Sequence, residues 1–204
     1  NDSRRAVAIL DKHKDKLACV LLDLMPHRIG LRPADSEFVE AIREWTIHND
    51  VLLVFDEVIT FRSEYGGLQE QYNVSPDLTA MGKAIGGGFP VGAIAGRRDV
   101  MDVMNPNNSP LLFPHSGTFS ANPITLTAGL IAMKKFDRDA VARLNALASK
   151  ARSGIEEAIC ETGTSACVTG AGSMFRIHMK KNVPTNFREA FLTEDENERL
   201  KHLL

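Results

Sequence analysis

The sequence is short of several things, and each shortage removes a class of function. No apolar run approaches the roughly 20 residues that a membrane-spanning helix needs, and the opening Asp2-Ser3-Arg4-Arg5 carries no apolar signal segment. Neither sign of charge is in excess: the net charge is −2, so nothing in the composition draws the chain to nucleic acid. The three cysteines, Cys19, Cys160 and Cys167, stand at no metal-ligand or redox spacing. An odd cysteine count without a signal segment suits a reducing, cytoplasmic compartment. The six histidines are scattered, with no pair at helical ligand spacing, so no metal site is expected. Internal repeats and low-complexity segments are lacking too. The first residue is Asn1 rather than Met, and the expectation is an internal fragment of a longer protein.

What is present is ordinary in bulk and specific in one stretch. A composition 44% hydrophobic and 25% charged is that of a globular protein, and 204 residues suffice for one core or for a domain and part of another. The specific stretch runs from Val51 to Pro90. The run Val51-Leu52-Leu53-Val54-Phe55 reads as a buried parallel strand that ends in the acidic pair Asp56-Glu57. In open α/β sheets ligands bind at such strand ends. A second short strand, from Asp77 to Gly82, ends in the lone amine Lys83, followed by Gly86-Gly87-Gly88. The glycines let the backbone approach a ligand closely, or form a plain turn. A carboxylate and an amine are thus expected in one crevice, delivered by two strand ends.

Around this stretch the periodicity predicts a helix over 3–16, a strand over 17–22, and a loop from Met25 to Pro33. A helix capped by Ser36 follows, with Phe38, Ile42 and Trp45 on one face. Strand, helix and strand with short joints make a parallel βαβ unit. Later come a short apolar run over 91–95, a short helix over 97–104, an Asn- and Pro-rich loop, and a helix over 123–135 with Pro123 in its first turn. An amphipathic helix over 138–160, a strand over 173–179 and a polar helical tail from Thr193 complete the chain. A division near residue 137 is expected, with 1–137 in one domain and 138–204 forming a linker helix and part of a second.

Two chemistries compete for the central stretch. An apolar strand ending in Asp-Glu is also the metal-binding strand of nucleotide hydrolases, but that needs a G-x-x-x-x-G-K-[ST] loop. Here Gly82-Lys83 is followed by Ala84, and residue 77 is Asp. A lysine that forms an imine, paired with a carboxylate for a pyridinium nitrogen, is the requirement of pyridoxal phosphate chemistry. Lys83 and Asp56 supply these two groups. A binding or scaffold protein that keeps the fold without activity is the third possibility.

The motifs favour the pyridoxal phosphate reading. Phe55-Asp56-Glu57-Val58, Tyr65-Gly66-Gly67-Leu68-Gln69, Pro76-Asp77-Leu78-Thr79, Gly82-Lys83, Gly86-Gly87-Gly88-Phe89-Pro90-Val91-Gly92-Ala93 and Gly96-Arg97-Arg98-Asp99-Val100-Met101 occur in one order. Together they resemble the class III pyridoxal-phosphate-dependent aminotransferases, most of all the glutamate-1-semialdehyde 2,1-aminomutase branch. The resemblance implies the large domain of a fold-type-I transferase, a mostly parallel sheet flanked by helices, with the start of a small C-terminal lobe. It implies pyridoxal 5′-phosphate as cofactor, Lys83 as the imine-forming residue and proton shuttle, Asp56 on the pyridinium nitrogen, and Val58 on the ring face. Thr118 matches the position that reaches the cofactor phosphate of a neighbouring subunit, which implies a homodimer with a shared site; from the residues alone Thr118 is a loop residue that caps the next helix. The implied substrates are small amino and keto or amino-aldehyde compounds, and the implied activity is 5-aminolevulinate formation in tetrapyrrole synthesis or an intermolecular transamination. One departure stands out: Arg28 occupies the place of an Asn that contacts the cofactor in the aminomutases. The main phosphate-binding glycine loop of that family would lie upstream of Asn1.

Overall fold

Apolar strands joined by short connections assemble a single four-stranded sheet. The computed structural model describes residues 1–203. Strands β1 (Cys19–Leu22), β2 (Leu52–Asp56) and β3 (Leu78–Gly82) run parallel, and β4 (Gly92–Gly96) pairs antiparallel with β3, in the order β1-β2-β3-β4. The expected mostly parallel α/β sheet therefore forms. β4 turns back because the link from Gly82 to Gly92 is shorter than the dozen or so residues that a parallel crossover takes.

Helix α1 (Ser3–Asp11) stops earlier than its expected end near residue 16. Asp2 caps it, its side chain accepting from the Arg5 amide at 3.0 Å, and a separate 3-10 turn holds Lys14–Lys16. The segment from Lys12 to Lys16 offers no apolar side chain to bury, so nothing holds a further helical turn against the sheet. Helix α2 (Ser36–His48) is the crossover between β1 and β2 and buries Val39, Ile42 and Trp45. Its N-cap is Asp35 rather than Ser36, and no side-chain cap bond forms. The Trp45 indole donates to Asp11 at 2.7 Å and ties α1 to α2.

β2 alternates in burial. Leu53 and Phe55 are fully buried, while Leu52, Val54 and Asp56 on the other face are half-buried. The expectation of a strand buried on both faces is met on one face only, since α2 and the segment after β1 cover that side. Leu24 and Met25, at the start of the expected loop, are fully buried members of the same core. They fold under the sheet as β1 ends and join Leu53, Phe55 and Leu68 there.

The remainder of the chain comprises α3 (Arg98–Met101), α4 (Pro123–Lys135), α5 (Arg138–Thr162), a hairpin of β5 (Cys167–Ala171) and β6 (Met174–His178), and α6 (Glu194–Leu203). α4 begins where its proline predicts, but the cap is Asn122, whose side chain accepts from the Ile124 and Thr125 amides; Thr118 plays no part in it. β5 was not expected, because its small and polar residues give no alternating pattern and only pairing with β6 makes it a strand. Asn145 of α5 donates to the Ser63 carbonyl and Arg152 to the Gly172 carbonyl, each at 2.8 Å. Among the described residues no helix is long and apolar enough to cross a membrane.

Asp77 joins the elements at the start of β3. Its carboxylate accepts from Arg43 of α2 at 2.7 Å, from the Leu53 amide at 2.7 Å and from Arg97 at 2.8 Å, and it is only 2% exposed. Burial pushes its pKa up, but the two guanidiniums and the amide outweigh burial and hold it at about 2. A depressed acid stabilises the fold above its unfolded pKa, and that contribution is lost as pH falls through the folded value. Replacing Asp77 by Asn is therefore expected to cost roughly 2 kcal/mol at neutral pH, with the gap between variant and parent closing as pH falls from about 4 towards 2. Urea unfolding across that range checks this; a gap that does not change with pH would refute the electrostatic account.

Candidate active site

The parallel register of the sheet places the chemically active residues. Leu22 of β1 is level with Phe55 of β2, and Asp56 of β2 is level with Ala80 of β3. The next residue of β1 is Asp23, so Asp23 and Asp56 stand at adjacent C-terminal strand ends. β3 runs two residues past Ala80 and delivers Lys83 at the same edge. The edge thus carries two carboxylates and an amine, where crevices at parallel strand ends bind ligands.

Asp56 is half-buried, and its Oδ1 accepts from the Val58 amide at 3.0 Å. This local turn fixes the carboxylate, and Asp56 has no salt-bridge partner among the described residues. Its neighbour Asp23 has a raised pKa. Burial is the main cause, the Met25 amide opposes it, and the charge of Asp56 adds to it. Val58 packs at the end of β3, where a Cβ built on Gly82 would meet its Cγ1 at 3.3 Å. Asp56, Val58 and Gly82, the residue before Lys83, therefore lie at one edge of the sheet.

Lys83 itself is exposed and has φ +49°, left-handed for a residue with a side chain. Such strain costs about 1–3 kcal/mol and collects at functional sites. It follows from the 3-10 turn Lys83–Gly86 that reverses the chain straight after β3. The turn is held from outside. Gly87, at φ +59°, lies so close to α4 that an added Cβ would meet the Ala128 carbonyl oxygen at 2.5 Å. Gly87 thus serves close packing of backbone on α4, while a Cβ added at Gly88 would meet nothing within 4 Å.

Lys83 lines a cavity of about 1010 Å³ whose wall also includes Arg28, Arg62 and Arg176. Asp56, Val58 and Thr118 are not in that wall. Thr118 lies apart, in an exposed turn. Sequence reasoning missed Arg62 and Arg176, since a single arginine carries no pattern. It also paired Glu57 with Asp56, and the structure separates them. Glu57 is fully buried and points the other way, accepting from Thr60 at 2.5 Å, Leu68 at 3.0 Å and Gln69 at 2.7 Å. Burial raises its pKa, and these three bonds counter part of the rise. Glu57 is a structural brace for the 60–69 segment, which leaves the nucleotide-hydrolase reading of Asp56-Glu57 without its second carboxylate.

The donor set fits pyridoxal phosphate: a carboxylate without a cationic partner among the described residues stands at one strand end, and an exposed amine stands at the next. Comparison with known proteins agrees. The Aminotransferase class-III family matches residues 2–199. The glutamate-1-semialdehyde 2,1-aminomutase of Methanobrevibacter smithii is 40% identical over 179 residues, covering 87% of this chain and 42% of the relative. An omega-transaminase from Sphaerobacter thermophilus superposes with a TM-score of 0.92 at 45% identity, over 96% of this chain and 44% of that one. A transaminase solved with PLP bound matches with a TM-score of 0.85 at 38% identity, over 87% and 42% of the two chains. The chain thus spans less than half the length of these relatives. Pyridoxal phosphate is the cofactor that this likeness indicates, and the chain belongs to the class III aminotransferase family.

Proposed function

We propose that the protein carrying this chain transfers an amino group between an amine-bearing and a carbonyl-bearing carbon, with pyridoxal phosphate as cofactor. The observation that carries this reading is the register that puts Asp56 and Lys83 at neighbouring strand ends. Bound there, the cofactor supplies an electron sink for negative charge on the carbon that carries the amine. Asp56 would hold the ring nitrogen in its protonated form through a charge-assisted hydrogen bond. Val58 would pack against the ring and exclude water from it. Lys83 Nζ would serve as the general base and acid for proton transfer at the amine-bearing carbon. Its strained turn and the α4 backbone behind Gly87 hold that amine at the strand end.

Thr118 binds the phosphate of a neighbouring copy in this reading, and the assembly is a homodimer. Support comes from the surface around it: Leu112, Phe113 and Phe119 are 65%, 55% and 82% exposed on the same loop, and clustered apolar exposure of this kind marks contact surfaces. Residues 1–137 form the cofactor domain and 138–204 the linker helix and the start of a second, in a cytoplasmic enzyme. The finer activity is an internal transfer, glutamate-1-semialdehyde to 5-aminolevulinate for tetrapyrrole synthesis, supported by the names of the curated relatives. A second reading, transfer between two molecules, is favoured by Arg28 at the expected Asn position and by the identity to the omega-transaminase.

Borohydride reduction of the pyridoxal-phosphate-loaded protein is expected to leave a phosphopyridoxyl group on the Lys83 peptide, located by mass; a label on any other lysine alone would overturn the assignment. Lys83→Ala is expected to lower turnover by about 10²- to 10⁴-fold. Asp56→Asn is expected to weaken cofactor binding and lower turnover, seen by titrating cofactor absorbance; unchanged binding and turnover would remove Asp56 from the site. Glutamate-1-semialdehyde supplied alone separates the two activities. 5-Aminolevulinate formed without an added acceptor supports internal transfer, and a strict need for an acceptor supports the intermolecular one.

A further inference from the structure

The turn after β1 and the β5–β6 hairpin both line the cavity that Lys83 lines. His27 and Arg28 come from the turn, and Met174 and Arg176 from the hairpin. A buried polar cluster joins the two segments, and its centre is His178, which is only 1% exposed. Nε2 of His178 lies 2.8 Å from the Thr169 hydroxyl oxygen and 3.1 Å from the Gly30 carbonyl oxygen. The Thr169 hydroxyl donates to that same carbonyl. A carbonyl can only accept, and the hydroxyl proton is already committed, so Nε2 carries a proton and donates. Nδ1 is then the bare nitrogen of a neutral ring. It is buried and has no hydrogen-bond partner among the described residues.

The turn depends on this cluster for its shape. Gly30 stands at φ +103°, and the buried Leu31 follows at φ +54°. A left-handed leucine is strained and persists only where its surroundings hold it. A Cβ added at Gly30 would meet His178 Cε1 at 2.7 Å, so the turn rests directly on the imidazole.

Protonation works against the arrangement. The second proton enters at Nδ1, where it finds no acceptor, and a buried charge without a partner is costly. The ionisable groups around the ring do not compensate. Arg176 on β6 and Lys180 just past its end are positive and oppose a further charge. Cys167 lies opposite His178 in register on β5, and burial pushes its thiol up, so it stays uncharged in acid. The turn contributes His27 and Arg28, neither of them an acid. Glu196 of α6 is taken up by Lys180 at 2.6 Å. Burial is the main cause that holds the His178 pKa below its ordinary value; the Gly30 bond opposes this, and Arg176 and Lys180 add to it.

We propose that His178 is a positioning residue for the reaction at Lys83: its neutral ring locks the 27–31 turn to the β5–β6 hairpin and keeps the cavity wall in shape, and a proton on Nδ1 releases the lock. The consequence for turnover rests on the amino-transfer reading, but the lock itself does not. A histidine whose folded pKa is lowered contributes its full stability above the unfolded value of about 6.5, and that contribution is lost as pH falls through the folded value.

Hydrogen exchange and kinetics on the pyridoxal-phosphate-loaded protein test this from about pH 8 down to about pH 5. His178→Gln keeps a neutral donor that does not titrate, and His178→Phe removes the donor. In the parent, the Gly30 and Leu31 amides, bonded to the His27 and Pro26 carbonyls, are expected to lose protection below about pH 6.5, after correction for the intrinsic pH dependence of exchange. kcat/KM is expected to fall over the same range, with the change carried by KM. His178→Gln should stay within about threefold of the parent at the alkaline end and lose the acid fall in both readouts. His178→Phe should show the unprotected turn and a KM about 10-fold higher at every pH. Thr169→Val removes the hydroxyl and should loosen the turn in the same way, which serves where His178→Phe does not fold. An acid fall that persists unchanged in His178→Gln would overturn the proposal, as would a parent turn whose protection does not change with pH. Equal KM in the parent and a folded His178→Phe would overturn it as well. Protection that follows His178, in a protein that shows no Lys83 label and no turnover, would keep the lock and reject the amino-transfer reading instead.

Discussion

The carboxylate of Asp77 is held by Arg43 from the crossover helix, by the amide of Leu53 on β2 and by Arg97 beyond β4, while the Asp77 amide donates to the Leu53 carbonyl at 2.8 Å. One buried group therefore clamps the starting ends of β2 and β3, the helix between β1 and β2, and the exit of β4. A shift of β3 by one residue would break the clamp and turn every side chain of that strand to the other face. The placement of Asp56 against Ala80, and so of Lys83 beyond it, depends on this register. Leaving such a carboxylate buried without its cations would cost several kcal/mol, far more than a surface ion pair contributes.

From this clamp the site follows by chain length. β3 extends past the level of Asp56 before it turns, and the turn carries Lys83 in a left-handed conformation. α4 stops the turn from relaxing, because Gly87 sits against its backbone. On the other side of β2, Glu57 braces the 60–69 segment from below. Adjacent acids in the sequence thus do opposite work: one faces the ligand edge, and the other is buried as scaffold. The pyridoxal phosphate chemistry proposed here uses the first and needs the second only for shape.

Much of the sheet was legible in the residues. The parallel βαβ unit, the start of α4 at Pro123 and the long α5 all follow from period and capping signals. Asp56 and Lys83 were legible as candidates because each stands at the charged end of an apolar strand, whereas Val58 entered only through the resemblance to a family. The inward folding of Leu24 and Met25, the strand β5 and the division of labour between Asp56 and Glu57 were not. Each depends on what a distant segment places against the residue. No local period reports that Gly30 meets His178, or that Thr169 pairs with Arg176 across a hairpin.

The sequence by itself determined the class of fold, the family and the carboxylate-amine pair, because strand periodicity and short motifs are local properties that survive without coordinates. Only the tertiary structure decided which arginines face that amine. Arg28, Arg62 and Arg176 lie far apart in the chain, and each alone looks like a solvated surface charge. Arg28 and Arg176 line one cavity because the Gly30 turn is bonded to the β5–β6 hairpin, and Arg62 joins them from the turn after β2, since electrostatic interaction depends on distance in space and not along the chain.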